Sequence, residues 1–346
     1  MANQTDIHYY VRASARAIEK ELQVFSKLWN KQITNAFPDL QTMTQRFTDG
    51  FLGGKMLRGT LVCLGYELVQ NEQTQAILKP AAAFEILHTS LIIHDDIIDQ
   101  SPTRRGQPAM HLHQNAQYGI SQAICLGDLG ISQAVKLLSE SDFQTDRKMR
   151  AITYFSQIIS DTILGEMLDV QSSHTEKPKE EQIFTIHTMK TARYTIVGPM
   201  TVGAILGEAD EMLLNNITRF GEHLGIAYQI QDDILGIFGD EKKMGKSVTS
   251  DIEENKSTLL LTYTLQQGTD KQKEMLKKYY GKKGITKEQH EIIKKIFIAS
   301  GALAYSQKHM NNLVSKAKAV IPDITKNRNN QELLLQLTEA LVNKSK

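Results

Sequence analysis

The chain has 346 residues, 41% of them hydrophobic and 23% charged, and its 40 Lys and Arg against 39 Asp and Glu leave a net charge of +1. That composition supplies a large core, and the near-zero charge excludes a general nucleic-acid binder, which needs a cationic surface. Only Cys63 and Cys125 are present, both inside apolar runs, which excludes a disulfide framework or a cysteine zinc site and points to a reducing cytoplasm. Seven Pro in the whole chain, with Leu, Ile, Ala, Lys and Glu prevalent, point to helices throughout. No basic-then-apolar leader opens the sequence, and no run of about eighteen apolar residues is expected to insert stably in a membrane.

Residues from about Tyr9 to Trp29 show helical spacing, suited to a packing or dimer helix. The stretch 36 to 54 holds Pro38 and ends in the loop Asp49-Gly-Phe-Leu-Gly-Gly54. A helix opens at Lys55-Met-Leu-Arg58, and Lys55 and Arg58, three apart, share a face of its first turn. Free N–H groups at a helix N-terminus attract anions, so cations there strengthen a phosphate site; two solvated surface bases would have the same spacing.

From Thr74 to Asp99 the spacing predicts one long apolar helix, kinked early by Pro80 and ending in Asp95, Asp96 and Asp99. Asp95 and Asp99 lie on one face a turn apart and repel each other unless a cation neutralises them. An all-oxygen ligand set suits Mg²⁺, which takes one or two carboxylates together with waters and substrate phosphate oxygens. Ser101-Pro102 stops the helix, and Arg104-Arg105 follows as a pair of phosphate-binding guanidinium groups. His88 lies seven before Asp95 on the same face, where a packed core histidine and a ligand are both open readings.

Further helices are expected at Gly119 to Ser139 and at about Asp146 to Ser172, the latter carrying Glu166 and Asp169 in a spacing as ordinary as it is functional. A short helix from Glu180 to Met189 leads to Lys190-Thr191, an apolar helix runs to Leu206, and a long one from Ala209 to Phe238 ends in Gln231-Asp232-Asp233. The aspartate theme thus recurs 137 positions after Asp95, on a second helix suited to face the first across a cavity. Residues 241 to 256 are densely charged and read as a mobile basic lid. The remaining helices carry no evident chemistry, and no strand is expected.

These pieces, in this order, resemble the trans-isoprenyl diphosphate synthases: Gly53-Gly-Lys-Met-Leu-Arg58, Asp95-Asp-Ile-Ile-Asp99, Arg104-Arg-Gly106, Lys190-Thr191, Gln231-Asp232-Asp233, and the Gly245-Lys246 and Asn255-Lys256 pair. The likeness spans about Gly53 to Leu260. It implies an all-α bundle around a deep central cavity, a single polyprenyl synthetase domain over 1–346, and a homodimer. It also implies two substrates, isopentenyl diphosphate and an allylic diphosphate. By the resemblance, Asp95, Asp99 and Asp232 bind three Mg²⁺ that hold the allylic diphosphate, with Asp96 and Asp233 as neighbouring metal-site carboxylates. Arg104, Lys190 and Lys246 clamp the same diphosphate, while Lys55, Arg58, His88 and Arg105 hold that of isopentenyl diphosphate. Lys256 helps close the lid, and Thr191 and Gln231 face the allylic cation.

One position departs from the family's pattern: Gly236 stands where the second motif commonly has a third aspartate. Terpene cyclases place an Asn/Asp, a Ser/Thr and a Glu at this spacing, yet Gly236 has no hydroxyl, and Lys55, Arg58 and Arg105 would have no use in an enzyme with one diphosphate substrate. A non-catalytic partner subunit of a heterodimeric synthase usually lacks the first motif, which is intact here. In this family the residues before the first motif form the floor under the growing tail, and Leu91, Ser90, Leu87 and Ala83 are expected in that role. With no aromatic ring five before Asp95, the expected product is about geranylgeranyl length, with farnesyl or longer chains as alternatives.

Overall fold

The computed structural model describes residues 6–72, 74–175, 178–240 and 247–343. In chain order its main elements are α1 (Ile7–Ala36), α2 (Gln41–Asp49), α3 (Leu57–Gln70), α4 (Leu78–Ile98), β1 (Thr103–Arg104), β2 (Gln107–Pro108), α5 (Ala116–Ser139) and α6 (Thr145–Ser173). After α7 (Glu180–Ile186) come a π-helical segment (His187–Val197), α8 (Gly198–Leu206), α9 (Glu211–Phe238) and α10 (Ser250–Glu253). The chain closes with α11 (Leu259–Gln267), α12 (Asp270–Tyr279), α13 (Lys287–Ala299), α14 (Ala302–Ile324) and α15 (Arg328–Val342). The all-α expectation holds. The chain divides into two compact units: Met1–Gln157 with Gly198–Leu214 and Asn327–Leu333, and Ile158–Val197 with Asn215–Lys326 and Leu334–Lys346.

In the first unit α4 packs against α1, α3, α5 and α8, and most of its side chains are buried. The stretch Gln75–Ile98 is in fact long and apolar enough to cross a membrane, contrary to expectation; 67% of its apolar window is buried inside the protein, as in a core helix. Pro80 sits in the first turn of α4, where its missing N–H would have no partner, so α4 runs unbroken from Leu78. Ahead of the expected loop at Asp49–Gly54 lies α2, whose Met43 with Phe47 and Thr44 with Thr48 are buried at helical spacing.

Turning about 100° per residue along α4, Phe84 and His88 fall within about 20° of Asp95 and Leu91 about 40° away, whereas Leu87, Ala83 and Ser90 lie about 80° to 140° round the helix. Packing matches this arithmetic. A Cβ at Gly130 of α5 would lie 2.0 Å from the Ser90 hydroxyl, and one at Gly127 would lie 2.1 Å from His94 Nε2. The expected floor is therefore corrected at Ser90, which lies in the α4–α5 seam; by helical arithmetic Ala83 and Leu87 turn toward Ser90 and Leu91 toward Asp95. Phe84, fully buried, also stands on that side, edge-on to Phe155 at 4.8 Å and 81°.

Between α4 and α5 the chain forms a minimal hairpin, with Thr103 opposite Pro108 and Arg104 opposite Gln107. Its two central residues, Arg105 and Gly106, have φ of 51° and 74°. Positive φ at both positions makes a type I′ turn, the turn whose twist suits a two-residue hairpin. Glycine signalled only half of it, which is why no strand was expected.

The second unit has a core of Ile237, Ile252, Leu260, Leu276, Ile293 and Phe297, joined by a smaller cluster of Ile183, Ile230, Ile234 and Leu259. The helix expected to stop at Met189 instead continues as the π-helical segment, whose backbone bonds run five residues back rather than four. Thr191, Ala192, Tyr194, Thr195, Ile196 and Val197 are buried there, and no helix breaker occurs before Gly198-Pro199.

Candidate functional site

In the first unit the N-terminus of α3 carries Arg58 in its first turn, with Lys55 just before it and Met56 held at φ 48° as the capping residue. Glu85 of α4 reaches under this turn, and its Oε1 accepts the Gly59 N–H at 2.8 Å. Burial raises the Glu85 pKa, partly offset by the Gly59 N–H and by Arg58 and Arg105. One turn along α4, His88 is held far below an ordinary histidine, first by burial and then by Arg58, Arg105 and Arg104. It is therefore a neutral imidazole among three guanidinium groups, able to donate a hydrogen bond to an anion without adding charge. Arg105 donates through Nη1 to the carbonyls of Gly50 (3.0 Å) and Leu52 (3.2 Å), which ties the hairpin to the loop before α3. Lys55, Arg58, His88 and Arg105 are thus carried by neighbouring elements of one unit.

At the end of the same helix the three aspartates have different surroundings. Asp96 is buried and takes a two-pronged bond from Arg104, with Nε at 2.9 Å from Oδ1 and 3.2 Å from Oδ2, and Nη2 also on Oδ1. Asp95 and Asp99 are half-buried, and Arg104 Nη2 lies 3.7 Å from Asp95 Oδ2. Burial opposes the charge on Arg104, but Asp96, then Asp95 and Asp99, hold its pKa above the ordinary value. Asp96 is hence buried as a partner of Arg104, while Asp95 and Asp99 are half-buried. A cavity of about 430 Å³ adjoins this end of α4, with Arg46, Asp96, Arg104 and Arg105 along its edge.

In the second unit Lys190 Nζ lies between Glu166 Oε2 at 2.7 Å and Asp169 Oδ2 at 2.8 Å, so the acidic pair of α6 has a defined partner. A Cβ on Gly165 would come within 2.5 Å of the Lys190 backbone nitrogen, and this close approach is what brings α6 onto the π segment. Thr191 Oγ1 donates to Gln229 Oε1 at 2.7 Å, and Gln229 Nε2 donates to Asp233 Oδ1 at 2.8 Å. Asp233 also faces His187 Nε2 at 3.1 Å and Lys256 Nζ at 3.5 Å. Although burial raises it, Lys256, His187 and Gln229 pull the Asp233 pKa down to about 2.

Two expectations change here. Asp233 is buried among Gln229, His187 and Lys256, so Asp232 is the half-buried carboxylate of this motif. Gln229, two residues before Gln231, is the glutamine joined to Thr191. Lys256 lies inside the acidic wall instead of reaching from a lid, and Lys246 falls outside the described residues. Among the described residues no three His, Cys, Asp or Glu side chains converge on one ion. Gln229 was signalled in the sequence only by its position four before Asp233. Arg193, paired with Asp161 at 2.8 Å and Glu222 at 3.3 Å, was not singled out.

The polyprenyl synthetase family model matches residues 40–297. The geranylgeranyl diphosphate synthase of Sulfolobus acidocaldarius is 32% identical over 274 residues, 78% of this chain and 81% of that protein. The geranylgeranyl diphosphate synthase of Saccharolobus solfataricus is 36% identical over 244 residues, 69% and 71% of the two. Among solved structures, a geranylgeranyl pyrophosphate synthase of Corynebacterium glutamicum, complexed with isoprenyl diphosphate and magnesium, superposes with a TM-score of 0.91 at 25% identity over 98% of this chain and 99% of that one. With the two aspartate motifs and the basic α3 turn in place, the chain belongs to the polyprenyl synthetase family.

Proposed function

We propose that the protein is a chain-elongating prenyltransferase that joins isopentenyl diphosphate to an allylic diphosphate and releases an all-trans prenyl diphosphate, geranylgeranyl diphosphate. The observation that carries this reading lies within the first unit. It holds two kinds of anion chemistry: the carboxylates Asp95 and Asp99 beside Arg104, and a basic set, Arg58, Arg105 and neutral His88, above Glu85, which accepts the Gly59 N–H of α3. The first suits a diphosphate that arrives with metal, the second one that arrives without. A cyclase with a single diphosphate substrate would need only the first.

Asp95, Asp99 and Asp232 are hard oxygen donors, too few within either unit to enclose an ion. They fit Mg²⁺, which completes its shell with waters and substrate phosphate oxygens. Three ions at the three carboxylates are our proposal for the loaded enzyme. When bound, Mg²⁺ neutralises charge on the departing diphosphate. The chain's own groups do the rest. Lys190 and Arg104 present fixed cations to the leaving group as the allylic C–O bond breaks. Thr191, its proton donated to Gln229, turns its lone pairs toward the carbocation. The π electrons of isopentenyl diphosphate form the new C–C bond, and a proton then leaves its C2, with the released diphosphate as the base. Leu91 and Phe84 line the side of α4 below Asp95, and the Phe84 ring stands about 16 Å down the helix, where it would stop a tail.

Exposed apolar side chains, Tyr118, Ile124 and Met149 in the first unit and Ile163, Leu164 and Met167 in the second, support a homodimer in which a second copy covers them. The free thiols of Cys63 and Cys125 support a cytoplasmic setting. Incubation of purified protein with Mg²⁺, isopentenyl diphosphate and each of dimethylallyl, geranyl and farnesyl diphosphate, with mass analysis of products, tests the proposal. Geranylgeranyl diphosphate is expected. A sole farnesyl product would overturn the length, a cyclic hydrocarbon from one diphosphate the class, and turnover only after a second protein is added would reveal a partner subunit.

A further inference from the structure

Gly236 follows Asp232 by four residues on α9 and so lies on the same face one turn along. The space beside it is filled. A Cβ built on Gly236 would lie 2.2 Å from Asp251 Oδ2 and 3.0 Å from its Cγ, so the Asp251 carboxylate occupies the room that a side chain at 236 would need. Asp251 comes from α10, is buried at 2% exposure, and is held in place by its neighbours. The Lys256 N–H donates to the Asp251 carbonyl at 3.0 Å, and Gly281 N–H to the Ile252 carbonyl at 2.8 Å. The Tyr280 hydroxyl donates to the Lys256 carbonyl at 3.1 Å.

We infer that Asp251 supplies to the Asp232–Asp233 wall the third carboxylate that Gly236 omits, as a positioning residue packed against α9 one turn beyond Asp232. Gly236 is then a clearance, required because the carboxylate arrives from a different element fifteen residues on. Packed there, the Asp251 carboxylate keeps the wall acidic and holds α9 so that the Asp233–Gln229–Thr191 chain stays aligned. The assignment rests on the proposed prenyltransferase activity for its kinetic consequence and on packing alone for its structural one.

The test is a relocation of the charge. Asp251→Asn, Gly236→Asp and the double variant Gly236→Asp/Asp251→Ala are compared with the wild type in steady-state kinetics for each substrate and in thermal unfolding. Asp251→Asn is expected to lower kcat/KM for the allylic diphosphate about tenfold while changing KM for isopentenyl diphosphate less than about twofold. Gly236→Asp places two carboxylates in one space and is expected to lose more, in both turnover and melting temperature. The double variant moves the carboxylate back onto α9 and is expected to recover to within about threefold of the wild type. Wild-type kcat/KM in Asp251→Asn would overturn the inference, as would a folded double variant no more active than Gly236→Asp. Should the double variant fail to fold, Asp251→Asn decides alone. If the wild type turned over no primer, the prenyltransferase reading would fall, and the melting temperatures would judge the Asp251 assignment: no recovery in the double variant overturns it.

Discussion

The two aspartate motifs end similar helices but settle their charge in different ways. In the first unit the buried Asp96 is matched by Arg104, a hairpin residue whose side chain is 38% exposed. In the second the buried Asp233 is matched by Lys256, whose side chain is 21% exposed, and by the buried imidazole of His187, 4% exposed. The more exposed Arg104 turns to water or to a substrate phosphate at smaller cost, whereas parting Asp233 from its two partners leaves a buried charge uncompensated. The first motif is therefore built to exchange partners during a reaction cycle. The second is built to stay still, and Thr191 is aligned through it.

The largest effects should ignore this difference. Asp95→Ala and Asp232→Ala each remove a half-buried carboxylate and are expected to lower kcat about a thousandfold with folding intact, as measured in Mg²⁺-supported assays. A near-normal rate in either would remove that motif from the site. The next pair should expose the difference. Asp233→Ala leaves Lys256 and the buried His187 facing a void and is expected to destabilise the fold by about 3 kcal/mol in denaturant titration. Asp96→Ala frees an arginine that water can reach and should cost about 1 kcal/mol, with its main effect on turnover. Equal losses of stability would erase the distinction.

Acid titration sharpens the same contrast. Asp233 is depressed from an ordinary aspartate to about 2, so its stabilisation is fully present above about pH 4 and is lost as pH falls toward 2. That span is worth about 2 kcal/mol, and Asp233→Asn should flatten it in acid-unfolding curves. His88 acts earlier on the pH scale. Its pKa in the folded chain lies well below 6.5, so below about pH 6.5 the unfolded chain takes up a proton that the native chain refuses, and stability declines as pH falls. His88→Gln should remove this slope. The smallest energetic effect concerns product length: Phe84→Ala is expected to shift products to longer chains, and an unchanged profile would move the tail off this side of α4. Ser90→Phe should instead disturb the α4–α5 seam and lower the melting temperature, because Ser90 meets Gly130.

The all-α class was legible from periodicity and from the scarcity of proline, and Asp95, Asp99, Asp232, Lys190 and the α3 bases from spacing and order. What escaped had physical reasons. Helical arithmetic already places Ser90, five before Asp95, about 140° away from it, so counting back from a motif was no substitute for turning the helix. Gln229 and Gln231 lie about 200° apart on α9, and only the position of Thr191 distinguishes them. The partnership of Gly236 with Asp251 joins a position with no side chain to a carboxylate in a densely charged stretch, and no local rule connects the two. The hairpin depends on Arg105 accepting positive φ, a conformation that side chains other than glycine adopt at a cost of about 1 kcal/mol.

The π-helical segment from His187 to Val197 carries a further consequence. Compared with an α-helix it holds an extra residue in its register, and α-helix is the lower-energy form of the same chain. Deleting one residue between Ala192 and Val197 should let the segment relax, raise the melting temperature, and turn Lys190 and Thr191 out of line with Asp169 and Gln229. A variant that melts higher and turns over less would show that the protein forgoes thermal robustness for alignment, and that breeding it for heat resistance alone would select against its chemistry.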